Sequence, residues 1–145
     1  MKTGILKLAV IATSLLATGQ AFAEGDAAKG EKVFKKCMAC HQVGEDAKNR
    51  VGPILTGVIG RAAGSVEGYK YGKHTKEAGE AGLVWTDEEV FNYLADPRKY
   101  LRAYLDNPKA KSKMSFKLKK EDQRMDVIAY LKTFSPEAEN EESAD

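Results

Sequence analysis

An all-α domain of three or four short helices joined by long glycine-rich connections is the fold class this sequence predicts, and three observations predict it. Apolar residues recur at three- and four-residue spacing in separate stretches on either side of the chain's middle. No stretch reads as a strand. Residues 43–82 are rich in Gly and follow no helical period, which leaves them as loops and turns that carry no sheet. With 145 residues, 43% hydrophobic and 30% charged, the chain suits one ordinary globular domain.

Taken in order, residues 1–23 read as a cleavable signal peptide: Lys2 and Lys7, an apolar run from Leu8 to Ala17, and the small-residue site Ala21-Phe22-Ala23 before Glu24. A retained anchor is the alternative, but the run is interrupted by Thr13, Ser14, Gly19 and Gln20, marginal against the roughly 20 mostly apolar residues of a spanning helix. Asp26 is suited to N-cap a helix from about Ala27 into the Cys pair, with Gly30, Val33, Phe34 and Cys37 on one face. Thr86-Asp87-Glu88-Glu89 is a capping box, opening a helix through Val90, Phe91, Tyr93 and Leu94 that stops near Asp96-Pro97. Pro97 opens a second short helix to about Leu105, and Asn107-Pro108 ends it. A last helix from about Lys120 to Phe134 puts Val127, Tyr130, Leu131 and Phe134 on one face, with Pro136 as its stop. The domain proper is thus 24–134, followed by a tail, 135–145, that holds five acids and no base and reads as disordered.

Without the signal the chain has 21 Lys and Arg against 21 Asp and Glu, a formal charge of zero that argues against a nucleic-acid binder. The balance hides an asymmetry. Between Arg98 and Lys120 stand nine basic residues and one acid, Asp106. A core drawn from such short helices is thin for 122 residues, and a large apolar prosthetic group would complete it.

Cys37-Met38-Ala39-Cys40-His41 has the c-type haem attachment spacing. Two thiols three residues apart on a helical turn project to one side, where each can add to a haem vinyl group, and His41 follows as the proximal ligand. A Cys37–Cys40 disulfide is possible in an exported protein. A thioredoxin-like pair lacks its βαβ context, and a zinc site would have only distant His74 to add. His74, in a polar Gly-Lys-His-Thr run, reads as a solvated surface residue. For the sixth iron position Met1 leaves with the signal and Met38 lies inside the attachment turn. Met125 sits about 150° from the apolar face of its helix, at 100° per residue. Met114 remains, in the loop Lys113-Met114-Ser115-Phe116, with an ordinary loop methionine as the alternative.

The sequence resembles a class I c-type cytochrome, most nearly the bacterial cytochrome c2 group. The resemblance runs from Gly25-Asp26 to Phe134 and rests on the haem motif, Gly52-Pro53-Ile54-Leu55-Thr56-Gly57-Val58-Ile59-Gly60-Arg61, Gly68-Tyr69-Lys70-Tyr71, Trp85-Thr86, Tyr93-Leu94 with Asp96-Pro97, and Lys113-Met114-Ser115-Phe116. It implies the class I fold, three to five helices wrapped around one covalently attached haem. It also implies a carbonyl at Pro53 that accepts the free imidazole proton of His41, and propionate partners at Arg61, Tyr71 and Trp85. Tyr93 resembles the tyrosine near the axial methionine, Phe116 the aromatic over the exposed haem edge, and Gly30 with Tyr130 the crossing of first and last helices. The stretch from Tyr100 to Met114 is longer than in the short mitochondrial relatives.

A His and Met pair leaves iron no open position, so a carrier rather than an enzyme is expected. The resemblance implies a periplasmic, monomeric one-electron shuttle from the cytochrome bc complex to a photosynthetic reaction centre or cytochrome oxidase, docking through the Lys-rich face around Met114. A ligand-binding or peroxidase-like haem protein with a labile Met114, and a membrane-tethered carrier that keeps residues 1–23, are the alternatives.

Overall fold

The computed structural model describes residues 23–136, so all but the last residue of the expected signal, and residues 137–145 of the expected tail, lie outside the described residues. Five helices follow one another: α1 (Ala27–Phe34), α2 (Lys73–Glu80), α3 (Asp87–Ala95), α4 (Pro97–Tyr104) and α5 (Glu121–Lys132). Among the described residues the only β-type pairing is an isolated antiparallel bridge between Ala62 and Val84. None of these helices is long and apolar enough to cross a membrane.

Asp26 caps α1 as expected, its carboxylate accepting the Lys29 N–H at 3.1 Å, while its own N–H donates to Asp126 Oδ1 at 2.8 Å and ties α1 to α5. The helix stops at Phe34 instead of running into the Cys pair. Beyond it, Lys36 N–H bonds to Val33 O and Cys37 N–H to Phe34 O, so the chain winds on in tighter three-residue turns. Helices α1 and α5 cross in close contact at Gly30, where any Cβ would fall inside the Asp126 carbonyl. That approach lets the Tyr130 ring reach Phe34, centroids 5.4 Å apart.

Helix α2 corrects the reading of 43–82 as loops alone. Its buried residues are Thr75 and Ala78, and Gly79 sits on the Ala63 carbonyl, so it packs through small groups and shows no apolar stripe. Helices α3 and α4 share Asp96, which ends the first and caps the second by accepting the Lys99 N–H at 3.0 Å. Thr86 Oγ1 accepts the Glu89 N–H at 3.2 Å. The Glu89 carboxylate accepts the Tyr100 hydroxyl proton.

An arm of irregular chain, residues 105–120, carries the chain from α4 to α5, anchored by wholly buried Ala110 and by Leu118 N–H donating to Leu94 O at 2.8 Å. Helix α5 is shorter at both ends than expected, and it buries Ile128 and Arg124 as well as Val127 and Leu131. The Arg124 Nη1 donates to the carbonyls of Leu118 and Lys119 at 2.9 and 2.8 Å, and the guanidinium lies over the Phe91 ring at 4.2 Å. Ser135, counted with the tail from sequence, is buried, and the Phe134 carbonyl accepts the Gly57 N–H at 2.8 Å, so packing extends past residue 134.

Candidate haem pocket

After α1 the main chain turns twice on the Cys37 carbonyl, which accepts both Cys40 N–H at 3.0 Å and His41 N–H at 2.9 Å. The turn brings Cys37, Cys40 and His41 to one wall of a cavity of about 390 Å³. Phe34, Leu55, Val58, Leu94, Val127 and Leu131 make its apolar lining, drawn from α1, the central loops, α3 and α5.

All ten candidate site residues border this one cavity: Cys37, Cys40, His41, Pro53, Arg61, Tyr71, Trp85, Tyr93, Met114 and Phe116. The His41 Nδ1 lies 2.7 Å from the Pro53 carbonyl, a contact that puts the ring's proton on Nδ1 and leaves Nε2 as the ring's lone-pair nitrogen. Burial lowers the His41 pKa, the Pro53 bond opposing, and the neutral ring is the form able to bind a metal. Gly52 is required beside it, since a Cβ there would overlap the imidazole. Burial pushes the Cys37 thiol up to about 11, and nearby Lys36 works against the shift.

Arg61 spends two nitrogens on carbonyls, Nη1 on Thr56 at 2.9 Å and Nη2 on Ile54 at 3.0 Å. Its Nε is buried with no acceptor, an orphaned donor at the edge of the cavity. Burial lowers the Arg61 pKa and raises that of Tyr71, whose hydroxyl accepts the Val66 N–H at 3.1 Å and keeps its own proton to donate. The Tyr93 hydroxyl is 3.3 Å from Ser112 Oγ, and its ring stands 4.8 Å from that of Trp85. Phe116 is 39% exposed at the rim. Of the methionines in the described residues, Met114 alone borders the cavity; Met38 is exposed at the turn and Met125 lies elsewhere on α5.

Sequence reasoning missed Tyr69 and Lys113 as cavity residues. Tyr69 packs edge-on against Tyr71 at 4.7 Å, and Lys113 Nζ sits 5.0 Å over the Tyr69 ring while donating to the Lys70 carbonyl at 2.6 Å. The Tyr-Lys-Tyr spacing was a usable signal, because residues two apart in extended chain share a side. His74 is half-buried, not freely solvated, and its Nδ1 accepts the Lys111 N–H at 3.1 Å.

Two thiols, a neutral imidazole and a thioether around apolar walls, with a buried orphan donor at one edge, fit a flat apolar macrocycle bearing acidic side chains. The sequence model of the family "Cytochrome c" matches residues 27–135. The chain belongs to the cytochrome c family. Cytochrome c2 iso-2 of Rhodospirillum centenum is 56% identical over 120 residues, covering 79% of this chain and 99% of that protein. Cytochrome c2 of Rhodospirillum rubrum is 47% identical over 133 residues, 92% of this chain and 98% of that one. Solved structures similar to this chain include cytochrome c2 from Rhodospirillum centenum, at 57% identity and TM-score 0.75, covering 77% of this chain and all of that one. Cytochrome c2 from Rhodobacter sphaeroides follows the same fold at 42% identity and TM-score 0.73, covering 77% of this chain and 98% of that one. The protein is a class I c-type cytochrome close to the cytochromes c2, an electron carrier bearing covalently attached haem c.

Proposed function

We propose that this cytochrome is a periplasmic one-electron carrier, exported with loss of residues 1–23, in which His41 and Met114 would supply the two side-chain ligands of the haem iron. The shared cavity carries the reading: two thiols at the attachment spacing, an imidazole held by Pro53 and a single thioether border one space. Haem c held there would supply one-electron chemistry between ferric and ferrous iron. Cys37 and Cys40 anchor the group through thioether bonds. Pro53 fixes the ring plane of His41 and, by accepting its Nδ1 proton, raises the basicity of Nε2. Met114, a soft and weakly donating ligand, favours the ferrous state and raises the potential. Arg61, Tyr71 and Trp85 offer donors to the propionates, and the apolar walls keep water out, so a change of charge reorganises little solvent.

With His41 and Met114 both serving as its ligands, the group would have no coordination site left for a substrate, and the protein would act as a carrier rather than an enzyme. Its proposed donor is the cytochrome bc complex and its acceptor a photosynthetic reaction centre or terminal oxidase, reached as a monomer through the lysine face beside Met114 and Phe116. The test is the ferric optical spectrum. Wild type and Met125→Ala should both show the methionine-to-iron charge-transfer band near the red edge, and Met114→Ala should lose it and fall in reduction potential. A band that survives in Met114→Ala would overturn the axial assignment. Mass spectrometry of the exported protein should find residues 24–145 plus one haem.

A further inference from the structure

The four residues before Met114 are tied, one after another, to four separate parts of the fold. The Ala110 carbonyl accepts Arg102 Nε of α4 at 3.1 Å, and the Lys111 N–H donates to His74 Nδ1 of α2 at 3.1 Å. Ser112 Oγ meets the Tyr93 hydroxyl of α3 at 3.3 Å, and Lys113 Nζ donates to the Lys70 carbonyl at 2.6 Å. Arginine and lysine side chains ordinarily stay charged across the neutral range, tyrosine ordinarily stays protonated there, and burial raises the Tyr93 pKa further. Imidazole is the one group among the four whose ordinary titration falls between about pH 5 and 8.

We propose that His74 is a positioning residue that couples pH to the seating of Met114, an inference that rests on Met114 being the axial ligand. A neutral ring with its proton on Nε2 presents a lone pair at Nδ1 to the Lys111 N–H. A second proton goes to Nδ1 itself, so two donors then face each other and the tie is lost. Lys111 N–H turns to water, and the chain three residues ahead of the thioether is held by three contacts in place of four. The ionisable groups on the elements around His74 include Lys73, Lys76, Glu77 and Glu80 of α2, of which Lys73 and Glu77 pair at 3.5 Å, Arg98, Lys99, Tyr100, Arg102 and Tyr104 of α4, and Asp106, Lys109, Lys111 and Lys113 of the arm. Of His74 and these side-chain types, only imidazole ordinarily changes charge in the neutral range. The stretch from Tyr100 to Met114 thereby gains a clip that holds with a neutral ring and opens with a protonated one.

The test uses the ferric haem-loaded protein between pH 5 and 8. NMR follows the His74 ring titration and the hydrogen-exchange protection of the Lys111 amide. Stopped flow follows entry of added azide at the position opposite His41, taken as the ratio of wild type to His74→Gln at each pH so that the reagent's own ionisation cancels. His74→Gln keeps a side-chain acceptor that does not titrate; His74→Leu removes the acceptor altogether. Lys111 protection should fall about 2- to 10-fold as His74 protonates, the size of one net hydrogen bond, and the azide ratio should rise by a similar factor with the same midpoint. His74→Leu should be fast at every pH. Lys111 protection that stays flat through the His74 titration, or an unchanged pH profile in His74→Gln, would overturn the proposal. An azide rate at pH 8 that Met114→Ala leaves unaltered would overturn the axial reading and the coupling with it. The amide measurement separates that failure from loss of the clip, since it does not depend on which residue binds iron.

Discussion

Gly30 and Gly52 show how one missing Cβ can serve two different ends. At Gly30 the absent atom lets α1 lie on the Asp126 carbonyl, so Gly30→Ala forces the helices apart without touching the haem ligands. Guanidinium denaturation of the holoprotein should show a loss on the order of 1–3 kcal/mol, the usual cost of overpacking, with optical spectrum and potential unchanged. At Gly52 the absent atom makes room for the His41 ring, so Gly52→Ala turns the imidazole off its Pro53 acceptor. Here the readout is the reduction potential, which should move along with stability. A Gly52→Ala protein of wild-type potential would show that ring orientation does not depend on that contact.

Helices α3 and α4 meet at Asp96, which accepts the Lys99 N–H through Oδ1 and pairs with Lys117 through Oδ2 at 2.6 Å. The Lys117 hydrogen bond, then the Lys99 N–H, lowers the Asp96 pKa below its ordinary 3.8. A carboxylate depressed in the folded state contributes stability that is present above its unfolded pKa and is lost as pH falls through the folded one. Asp96→Asn keeps an N-cap acceptor but removes the charge. Thermal unfolding should therefore separate wild type from Asp96→Asn at pH 7, and the gap should begin to narrow below about pH 4, where the unfolded aspartate takes up its proton, and close only as pH falls through the lower folded pKa. A gap that does not narrow at all between pH 4 and pH 2 would mean that the cap, not the charge, carries the contribution. Because Lys117 is engaged in this way, reversing its charge would disturb α4 as well as any docking face.

For the whole molecule the cavity is where the elements meet: Phe34 of α1, Leu55 and Val58 of the central loops, Leu94 of α3, and Val127 and Leu131 of α5 line it, and a bound macrocycle would bury these apolar groups together. Replacing Cys37 and Cys40 together with Ala should then yield an exported chain without the far-UV circular dichroism or cooperative melting of the holoprotein. A helical apoprotein with a sharp transition would contradict this. The charge asymmetry also acts at this scale. Lys109 and Lys119 are exposed on either side of Met114 and Phe116, whereas Lys113 is held by the Lys70 carbonyl and Lys117 by Asp96. Lys109→Glu with Lys119→Glu is thus the cleaner probe of steering. Electron transfer to a purified reaction centre or oxidase should slow steeply with salt in wild type and far less in the double variant, since attraction is screened beyond about 8 Å at physiological ionic strength. Equal salt profiles would rule out docking through this face.

Local chemistry was enough to read much of this protein from its residues. Asp26 and Thr86 announce their caps because a side-chain oxygen bonds an N–H only three residues away, and the attachment motif places its three groups within one turn. Pro53, Arg61, Tyr71, Trp85, Tyr93 and Phe116 became candidates only through the resemblance to class I c-type cytochromes, and what the fold adds is that all six border one cavity. Tertiary structure alone decided what depends on partners distant in the chain. Helix α2 has no apolar stripe, because small Thr75, Ala78 and Gly79 suffice against a backbone that only folding brings near. Arg124 looks like a surface residue in a polar stretch, yet it is buried because Phe91 and two arm carbonyls converge on it. His74 and Lys111, 37 residues apart, form a contact that no local pattern encodes. Capping and attachment act within a turn of chain, where sequence order is spatial order; burial and the ties on the Met114 arm arise between segments, where only the packed chain sets the distance.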